Sequence, residues 1–357
     1  MFRILSINPG STSTKIALYD DEQEVFNKTL RHSEADLAGF DSIIDQADFR
    51  RQIILDALAE SDINIQKLSA IVGRGGLVKP IPGGTYTISD SLLEDVRHPR
   101  MGEHASNLGA ILAYEIASRL NLPSFIVDPV VVDELEPIAR ISGHPEIERV
   151  SIFHALNQKA VAHRYAKSIG RKYEDLNLIV AHLGGGISVG AHQNGRVIDV
   201  NNALNGDGPF SPERSGGLPV GALAKLCFSG KYTEKEVKRM ITGAGGYCSY
   251  LGTHDGQAVE QRAAAGDLTA KLIHDAMGYQ IAKEIGACAA VLQGNVDQII
   301  VTGGLAYDKS LVSYVSEKVK FIAGISVYPG EDEMTALTEG ALRILRGEEV
   351  AKNYEDY

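Results

Sequence analysis

The residues best suited to chemistry form an octet near the start of the chain: Asn8, Pro9, Gly10, Ser11, Thr12, Ser13, Thr14 and Lys15. Hydroxyl groups and the backbone N–H groups of a tight turn can bind phosphate oxygens, and a lysine adds a point charge. A hairpin turn whose hydroxyls only cap their own backbone has the same composition. The octet lacks the spacing of a Walker A loop, and by itself it leaves both interpretations open.

Apolar segments on both sides must position this octet. Residues 3–7 and 16–19 have the length and composition of strands, so the octet is predicted to be the turn of a hairpin. Residues 24–26 predict a third strand, and residues 34–60 carry apolar side chains at helical spacing. The chain is therefore predicted to open with a hairpin, a third strand and a helix.

The same order of elements returns about 175 positions later. Strands are predicted at 176–182, 187–192 and 196–200, and a glycine turn joins the first two. The polar and glycine residues at this junction are His182, Gly184, Gly185 and Gly186. We interpret the repetition as a duplicated unit that has one phosphate-binding turn in each copy.

A third glycine turn follows the predicted strand 296–302. Gly303 and Gly304 lie there, and a helix is predicted to begin at about Lys309. A helix N-terminus behind a glycine turn suits a phosphate or the close approach of a flat ring. Three such turns, at corresponding points of repeated units, predict a nucleotide held in a cleft between two domains.

Two arginines are candidates for binding an anion. Arg74 follows the buried strand 70–72 and has glycine neighbours, which exposes it at a strand end, although an ordinary surface arginine fits as well. Arg214 is the only cation in residues 201–219, a long segment without periodicity. Loops of this length in compact domains are usually functional or disordered, and the regular elements on both sides argue against disorder.

Histidines and acidic residues lie at the ends of other predicted elements. His104 precedes a helix at 107–119, and His154 falls in the first turn of a helix that Ser151 caps, but either histidine can be purely structural. Asp128 follows the buried strand 124–127, at the position where ligands bind in open α/β sheets. An aspartate that only initiates a turn before proline would have the same sequence.

Glu331 and Glu333 precede a last predicted helix at 334–346. The helix macrodipole alone explains acidic residues at such a position, and a metal site is the weaker interpretation of the residues themselves.

Length and composition limit the class of protein. The 357 residues suggest two domains, 1–148 together with a C-terminal helix at about 334–357, and 149–333. The net charge of −11 argues against nucleic acid or an anionic membrane as the main partner. Three scattered cysteines, the absence of an apolar run of about 18 residues and an N-terminus unlike a signal peptide predict a cytoplasmic protein without a membrane span.

Taken together, these motifs resemble the acetokinase family, which belongs to the superfamily of acetate kinases, sugar kinases, heat-shock chaperones and actin. The octet, residues 102–109, Phe153 with His154, and residues 182–186 match in order and spacing. The resemblance implies an α/β fold of two duplicated actin-like (ribonuclease-H-like) βββαβαβα domains around a nucleotide cleft. It also implies the reaction ATP + butanoate ⇌ ADP + butanoyl phosphate with Mg²⁺, in a homodimer or larger homo-oligomer.

The resemblance also implies roles for individual residues. Asn8, Ser11, Ser13 and Lys15 would line the first phosphate motif; His182, Gly184, Gly185 and Gly186 the second; and Gly303 and Gly304 the adenosine loop. Arg74, Asp128, His154 and Arg214 would be catalytic, and His104 would contact the substrate. Glu333, with Asp128, would hold magnesium, and Glu331 is a rival because the register there is open.

Some residues depart from the acetate-kinase pattern. Pro9 replaces a small polar residue, and the adenosine loop lacks a glutamate. These departures put acetate as the substrate in question. The alternatives are a branched-chain fatty acid kinase acting on isobutyrate or isovalerate, and an acetate or propionate kinase. Two functions of other classes remain, a phosphohydrolase and an actin-like filament or regulator on the same fold.

Overall fold

The computed structural model describes residues 1–98 and 102–357. Its described strands are β1 (Arg3–Pro9), β2 (Ser13–Asp20), β3 (Gln23–Arg31), β4 (Ala70–Arg74), β5 (Thr85–Thr87), β6 (Ser124–Val127), β7 (Asn177–Leu183), β8 (Ile187–Gln193), β9 (Arg196–Val200), β10 (Gln298–Gly303) and β11 (Ile325–Pro329).

Thirteen α-helices are described in the same ranges. They are α1 (Glu34–Leu37), α2 (Ala47–Glu60), α3 (Asp90–Arg97), α4 (Asn107–Leu120), α5 (Pro137–Arg140), α6 (Ala155–Ser168), α7 (Val220–Cys227), α8 (Glu234–Thr242), α9 (Gly246–Leu251), α10 (Gly256–Ala264), α11 (Leu268–Val291), α12 (Lys309–Val319) and α13 (Glu333–Leu345). No helix in the described ranges is long and apolar enough to cross a membrane.

The chain divides into two compact units. The first unit contains Met1–Val132 and Asp332–Tyr357, and the second contains Asp133–Glu331. Each unit has its own buried apolar cluster. The domain limits derived from sequence, at 148 and 333, stay a prediction.

The first unit is built on a six-stranded mixed sheet in the order β3-β2-β1-β4-β6-β5. β1 and β2 are antiparallel and are joined by the turn of the octet, with Pro9 opposite Thr14. β1, β4 and β6 are parallel, so their carboxyl ends lie at one edge of the sheet. This edge carries the end of the octet strand, Arg74 and Asp128.

The second unit repeats this arrangement in the order β11-β10-β7-β8-β9. β7, β8 and β9 form an antiparallel meander, and β10 and β11 extend it in parallel to β7. The pairing of these five strands is the same as that of β6, β4, β1, β2 and β3. The predicted duplication of a β-unit is therefore present, and the expected α/β fold is confirmed.

Two predicted helices differ in their bounds. The helix predicted over 34–60 is two helices in the structure. The capping box at Ser33 begins the short α1, and α2 begins only at Ala47. The helix assigned to a Ser151 cap begins at Ala155, and His154 itself is the N-cap residue. His154 therefore lies just before the first helical turn, and its carbonyl oxygen accepts a hydrogen bond from the Gln158 backbone N–H.

Candidate active site

A cavity of about 380 Å³ opens in the first unit beside the octet turn. Its lining residues are Asn8, Pro9, Gly10, Ser13, Lys15, Thr29, Arg74, His104, Ser106 and Glu333. Six of them are site residues that the sequence predicts, from four separate stretches of the chain. The fold brings together groups as far apart as 325 positions.

An arginine and a carboxylate form the polar centre of this cavity. Arg74, the last residue of β4, forms an ion pair with Oε1 of Glu333, the first residue of α13. Nδ2 of Asn8 donates a hydrogen bond to Oε2 of Glu333 at 2.5 Å. A carboxylate or phosphate oxygen of a ligand can replace Glu333 as the partner of the guanidinium group. The centre can therefore bind an anion at the end of the sheet.

His104 is a neutral hydrogen-bonding group in this cavity. Its Nδ1 lies 2.8 Å from the Ser106 hydroxyl oxygen and accepts a hydrogen bond from the Ser106 backbone N–H. Partial desolvation of the ring and, secondly, the positive charge of Arg74 lower the pKa of His104 below its usual value. The neutral ring with Nδ1 as acceptor carries its proton on Nε2, so it can donate to a ligand oxygen.

A buried arginine holds the octet turn from the side away from solvent. Arg50 on α2 is 1 % exposed, and its guanidinium donates to the carbonyl oxygens of Gly10 (2.7 Å), Ser13 (3.0 Å) and Ser11 (2.9 Å). The carbonyl oxygen of Thr12 accepts a hydrogen bond from the backbone N–H of His32, which follows β3. The four carbonyl dipoles of the turn are thus bound by donors of the protein.

Other predicted residues of the first unit lie in different places. Lys15, which sequence reasoning ranks below the two arginines, is on the cavity wall. Ser11 is exposed and is not among the lining residues. Asp128 is 4 % exposed, has a positive φ of 37° and accepts a hydrogen bond from the Gly84 backbone N–H at 2.6 Å. Its geometry is that of a strand-end turn, and its catalytic role stays a prediction.

In the second unit, Arg214 lies against the glycine turn between β7 and β8. A β-carbon at Gly186 would overlap Nη1 of Arg214, so only glycine allows this close approach. Nη1 donates to the Ala203 carbonyl oxygen at 2.7 Å. The Nε atom is buried and has no hydrogen-bond partner within the described residues, and burial lowers the pKa of the guanidinium. Arg214 therefore keeps one N–H donor that the described residues do not use.

Two histidines stack beside the same turn. The rings of His154 and His182 have centroids 3.7 Å apart and an interplanar angle of 6°. Nδ1 of His182 lies 2.7 Å from the Asn157 amide nitrogen, and its Nε2 lies 2.9 Å from Oε1 of Glu331. Nδ1 of His154 lies 2.8 Å from the Ser188 hydroxyl oxygen. The structure therefore places both predicted histidines together, with Glu331 next to them.

The third glycine turn has the backbone that its sequence suggests. Gly303 has a φ of 90°, and a β-carbon there would overlap the carbonyl oxygen of Leu183. Gly304 begins a single 3₁₀ turn to Tyr307, and α12 follows with Asp308 as its N-cap. Gly303 and Gly304 are thus at the junction of a strand with a helix, as predicted for an adenosine loop.

The two rival acidic residues occupy different surroundings. Glu333 belongs to the first-unit cavity, whereas Glu331 contacts His182 in the second unit. Glu333 and the side chain of Asn8 supply hard oxygen atoms at the cavity wall, which fits the preference of Mg²⁺ for one or two protein oxygens plus water and phosphate. Oδ1 of Asp128 is used by Gly84. In the described part of the chain, no cluster of three or more His, Cys, Asp or Glu side chains could hold a metal ion.

Sequence reasoning misses the groups that orient the site. These are Arg50 behind the octet turn, and Asn157, Gln158 and Ser188 around the two histidines. Among these groups, Arg50 could have been suspected from the sequence. Gln46, Arg50 and Ile54 are spaced by four residues, and the apolar Ile54 predicts that this helical face is buried. The others depend on contacts between separate elements.

Comparison with known proteins identifies the relatives of this chain. The family model described as the acetokinase family matches residues 146–342. Butyrate kinase 1 and butyrate kinase 2 of Clostridium acetobutylicum are 59% and 58% identical to it, over 99% of this chain and 100% and 99% of their own lengths. The chain therefore belongs to the acetokinase family, as the sequence motifs predict.

Solved structures have the same fold. The acetate kinase of Porphyromonas gingivalis superposes with a TM-score of 0.80 at 19% identity, and covers 97% of this chain and 100% of its own. A propionate kinase of Francisella tularensis gives a TM-score of 0.73 at 20% identity, with coverages of 95% and 99%. At this level of identity, the likeness concerns the fold.

Proposed function

We propose that this protein is a carboxylate kinase that catalyses ATP + butanoate ⇌ ADP + butanoyl phosphate. The observation that carries the proposal is the pair of relatives named butyrate kinases, which match at 58% and 59% identity over nearly the full length. The cavity with Arg74 at its centre suits an anionic substrate. ATP and ADP are the nucleotide partners expected of a kinase in this family.

The first unit would bind the carboxylate substrate. A carboxylate is ionised at neutral pH, so it can attack phosphorus without a general base. The obstacle is repulsion between two anions, and catalysis consists mainly of positioning and charge neutralisation. Arg74 would hold the carboxylate after exchange with Glu333, His104 would donate from Nε2, and Lys15 would add positive charge.

The second unit would supply donors to the phosphoryl groups. Arg214 has a buried Nε donor beside the glycine turn, and His154 lies next to the same turn. Both would stabilise charge on the transferring phosphoryl group, where preorganised donors act most strongly. Gly303 and Gly304 would lie against the adenosine.

Mg²⁺ is part of this proposal. When bound, it would neutralise negative charge on the phosphate groups. Glu333 is the carboxylate best placed to hold it, because it lies on the cavity wall within reach of Asn8. Asp128 stays a second candidate, which would act only if its oxygen were released from Gly84.

A hydroxylamine trap tests the activity directly. Purified protein with ATP, Mg²⁺ and butanoate is expected to give an acyl hydroxamate, because an acyl phosphate reacts with hydroxylamine. Release of phosphate from ATP without any acid would instead favour a phosphohydrolase. Sedimentation with ATP at rising protein concentration would detect a filament, the remaining alternative.

The preferred acid follows from the same assay. We propose butanoate as the best substrate in a series of straight-chain acids of two to five carbons, with isobutanoate and isovalerate added. One methylene is worth about 1–3 kcal/mol in an apolar pocket, so kcat/KM should differ by roughly tenfold or more between neighbours. A maximum at ethanoate or at a branched acid would overturn the choice of butanoate and leave the kinase activity intact.

Two further properties are inferred from the family resemblance. We propose that the protein works in the cytoplasm, which the three free cysteines support because disulfides are rare there. We also propose a homodimer or larger homo-oligomer, and sedimentation velocity without nucleotide tests it.

A further inference from the structure

A chain of hydrogen bonds runs through the buried interior of the second unit and ends at His154. The Tyr173 hydroxyl lies 2.6 Å from Nδ1 of His192, and Nε2 of His192 lies 2.9 Å from Oε1 of Gln158. Nε2 of Gln158 lies 2.8 Å from the Ser188 hydroxyl oxygen, which lies 2.8 Å from Nδ1 of His154. Between Tyr173, which is 2 % exposed, and Ser188 every member is buried.

A backbone carbonyl fixes the direction of this chain. Nε2 of Gln158 also lies 3.1 Å from the carbonyl oxygen of Ser188, a group that can only accept. The amide of Gln158 must therefore point its NH₂ group to Ser188 and its oxygen to His192. The Ser188 hydroxyl oxygen thus accepts from Gln158, and it also lies 3.5 Å from the donating backbone N–H of His154. Its own proton is left for Nδ1 of His154.

The far end of the chain agrees with this direction. Burial of the ring and, secondly, the positive charge of Lys159 lower the pKa of His192 well below its usual value, so the ring is neutral. A neutral ring that donates from Nε2 to Gln158 must accept at Nδ1, and the Tyr173 hydroxyl is the donor there. Each of the four links thus has one donor and one acceptor.

We propose that a series of hydrogen bonds, each donated toward His154, holds His154 as the tautomer protonated on Nε2. The series runs from Tyr173 through His192 and Gln158 to Ser188. These four are positioning residues, and His154 is the group that they orient. This inference rests on the proposed function, in which His154 donates a hydrogen bond to the phosphoryl group. A histidine protonated on Nδ1 could not donate from Nε2.

A separate set of contacts assigns the same tautomer to the neighbouring histidine, His182. Nδ2 of Asn157 donates to Nδ1 of His182 and also lies 3.2 Å from the Thr302 hydroxyl oxygen. The proton of His182 is then on Nε2, which lies beside Glu331. The stacked pair thus directs two Nε2–H groups along parallel ring planes, and the stacking limits rotation of the His154 ring.

Nitrogen-15 NMR of the full-length protein tests the tautomer without reference to activity. His154 is expected to have an unprotonated Nδ1 and a protonated Nε2 at neutral pH, as read from ring nitrogen shifts and couplings, with His154→Gln for assignment. Ser188→Ala removes the donor and should give a mixture of tautomers. Gln158→Glu reverses the chain, because a carboxylate accepts the Ser188 proton, and should shift the mixture toward Nδ1–H.

Ser6→Ala is the matched control for loss of a buried hydroxyl. Ser6 is also 0 % exposed and is bonded to the Thr338 hydroxyl at 2.7 Å in the first unit, so this variant should leave the His154 signals unchanged. A wild-type His154 with its proton on Nδ1, or an unaltered tautomer in both Ser188→Ala and Gln158→Glu, would overturn the proposal.

Kinetics separate this inference from the proposed function. Ser188→Ala should lower kcat roughly 10–100-fold, by analogy with the loss of a group that orients a metal-binding histidine, and should change KM for ATP about twofold at most. Ser188→Thr retains the hydroxyl and should restore both the tautomer and part of kcat. A changed tautomer with unchanged kcat would support the chain and would contradict the role of His154 in phosphoryl transfer.

Discussion

Arg74 and Arg214 are held in different ways, and this difference decides what each can do. Arg74 shares the carboxylate of Glu333, so a ligand anion must exchange with an existing partner. Arg214 is anchored by one carbonyl contact to Ala203, and its Nε is buried without a hydrogen-bond partner in the described ranges. In the proposed function, Arg74 would therefore bind an anion by exchange with Glu333, and Arg214 would do so through its unpartnered Nε–H.

Replacement of either arginine should affect turnover more than nucleotide binding. Arg74→Ala and Arg214→Ala are each expected to lower kcat by roughly 10²–10³, because each removes a donor to developing charge. KM for ATP should change much less, and steady-state kinetics with the hydroxamate assay measures both. Arg346→Ala removes a surface partner of Glu22 and is the control. Near-normal turnover in either active-site variant would contradict the assignment.

The pKa of His104 should depend on the positive charge of Arg74. Partial desolvation and the charge of Arg74 lower the pKa of His104. Arg74→Met removes a positive charge, which favours the protonated ring, so the pKa of His104 should rise in an NMR titration. His32 is the internal control, because burial and Arg50 lower its pKa. A His104 pKa that stays unchanged would show that Arg74 does not act on this ring.

At the scale of elements, the octet turn depends on a helix that contributes nothing to the cavity wall. Arg50 of α2 binds the turn through three carbonyl oxygens and donates to Gln46 through Nε and Nη2. Burial lowers the pKa of Arg50 to about 10, and its nearest hydrogen-bond partners are neutral. The turn thus has a buried positive charge directly behind it, which favours an anion in front.

Loss of this arginine should loosen the turn and destabilise the protein. Arg50→Met is expected to destabilise the protein by about 2–4 kcal/mol in urea unfolding, because three carbonyl groups of the turn lose a buried charged donor. Arg50→Lys keeps the charge with fewer donors and should be intermediate. Lys28→Met removes an exposed partner of Glu60 and should cost about 1 kcal/mol at most. An Arg50→Met variant as stable as Lys28→Met would refute the bracing role.

At the scale of the whole molecule, the end of the chain completes the first unit. Residues 332–357 belong to the same compact unit as the first 132 residues. α13 buries Met334, Leu337 and Ala341, and Thr338 bonds Ser6 of β1. The element that carries Glu333 is therefore part of the core that supports the octet, and the cavity requires both ends of the sequence.

A cavity at the buried face of α13 should affect both stability and the site. Leu337→Ala is expected to lower the free energy of unfolding by about 2–5 kcal/mol, the usual range for a fully buried leucine. Calorimetry or urea unfolding measures the change. Val350→Ala is the matched control, because Val350 is 90 % exposed in the same segment. Equal effects of the two substitutions would mean that α13 is not part of the core.

The sequence by itself determined the features that local pattern encodes. The strands around residues 8–15 and 182–186 follow from apolar periodicity and glycine turns, which act over a few residues. Because the same pattern appears twice, the duplicated α/β fold could also be predicted, and the resemblance of the motifs to known proteins pointed to the family. Arg74, Arg214 and His154 could be selected as candidates, because each lies at the end of an element or in a loop.

Only the tertiary structure decided how these groups are paired. Glu333 rather than Glu331 reaches Arg74 and Asn8, a choice that depends on how α13 packs against β1 and β4. The predicted metal pair included Asp128, whose oxygen is held by Gly84. The bracing by Arg50 and the polarity of the chain through Ser188 also arise from contacts between separate elements. Hydrogen-bond direction depends on distance and angle in space, and spacing along the sequence does not contain that information.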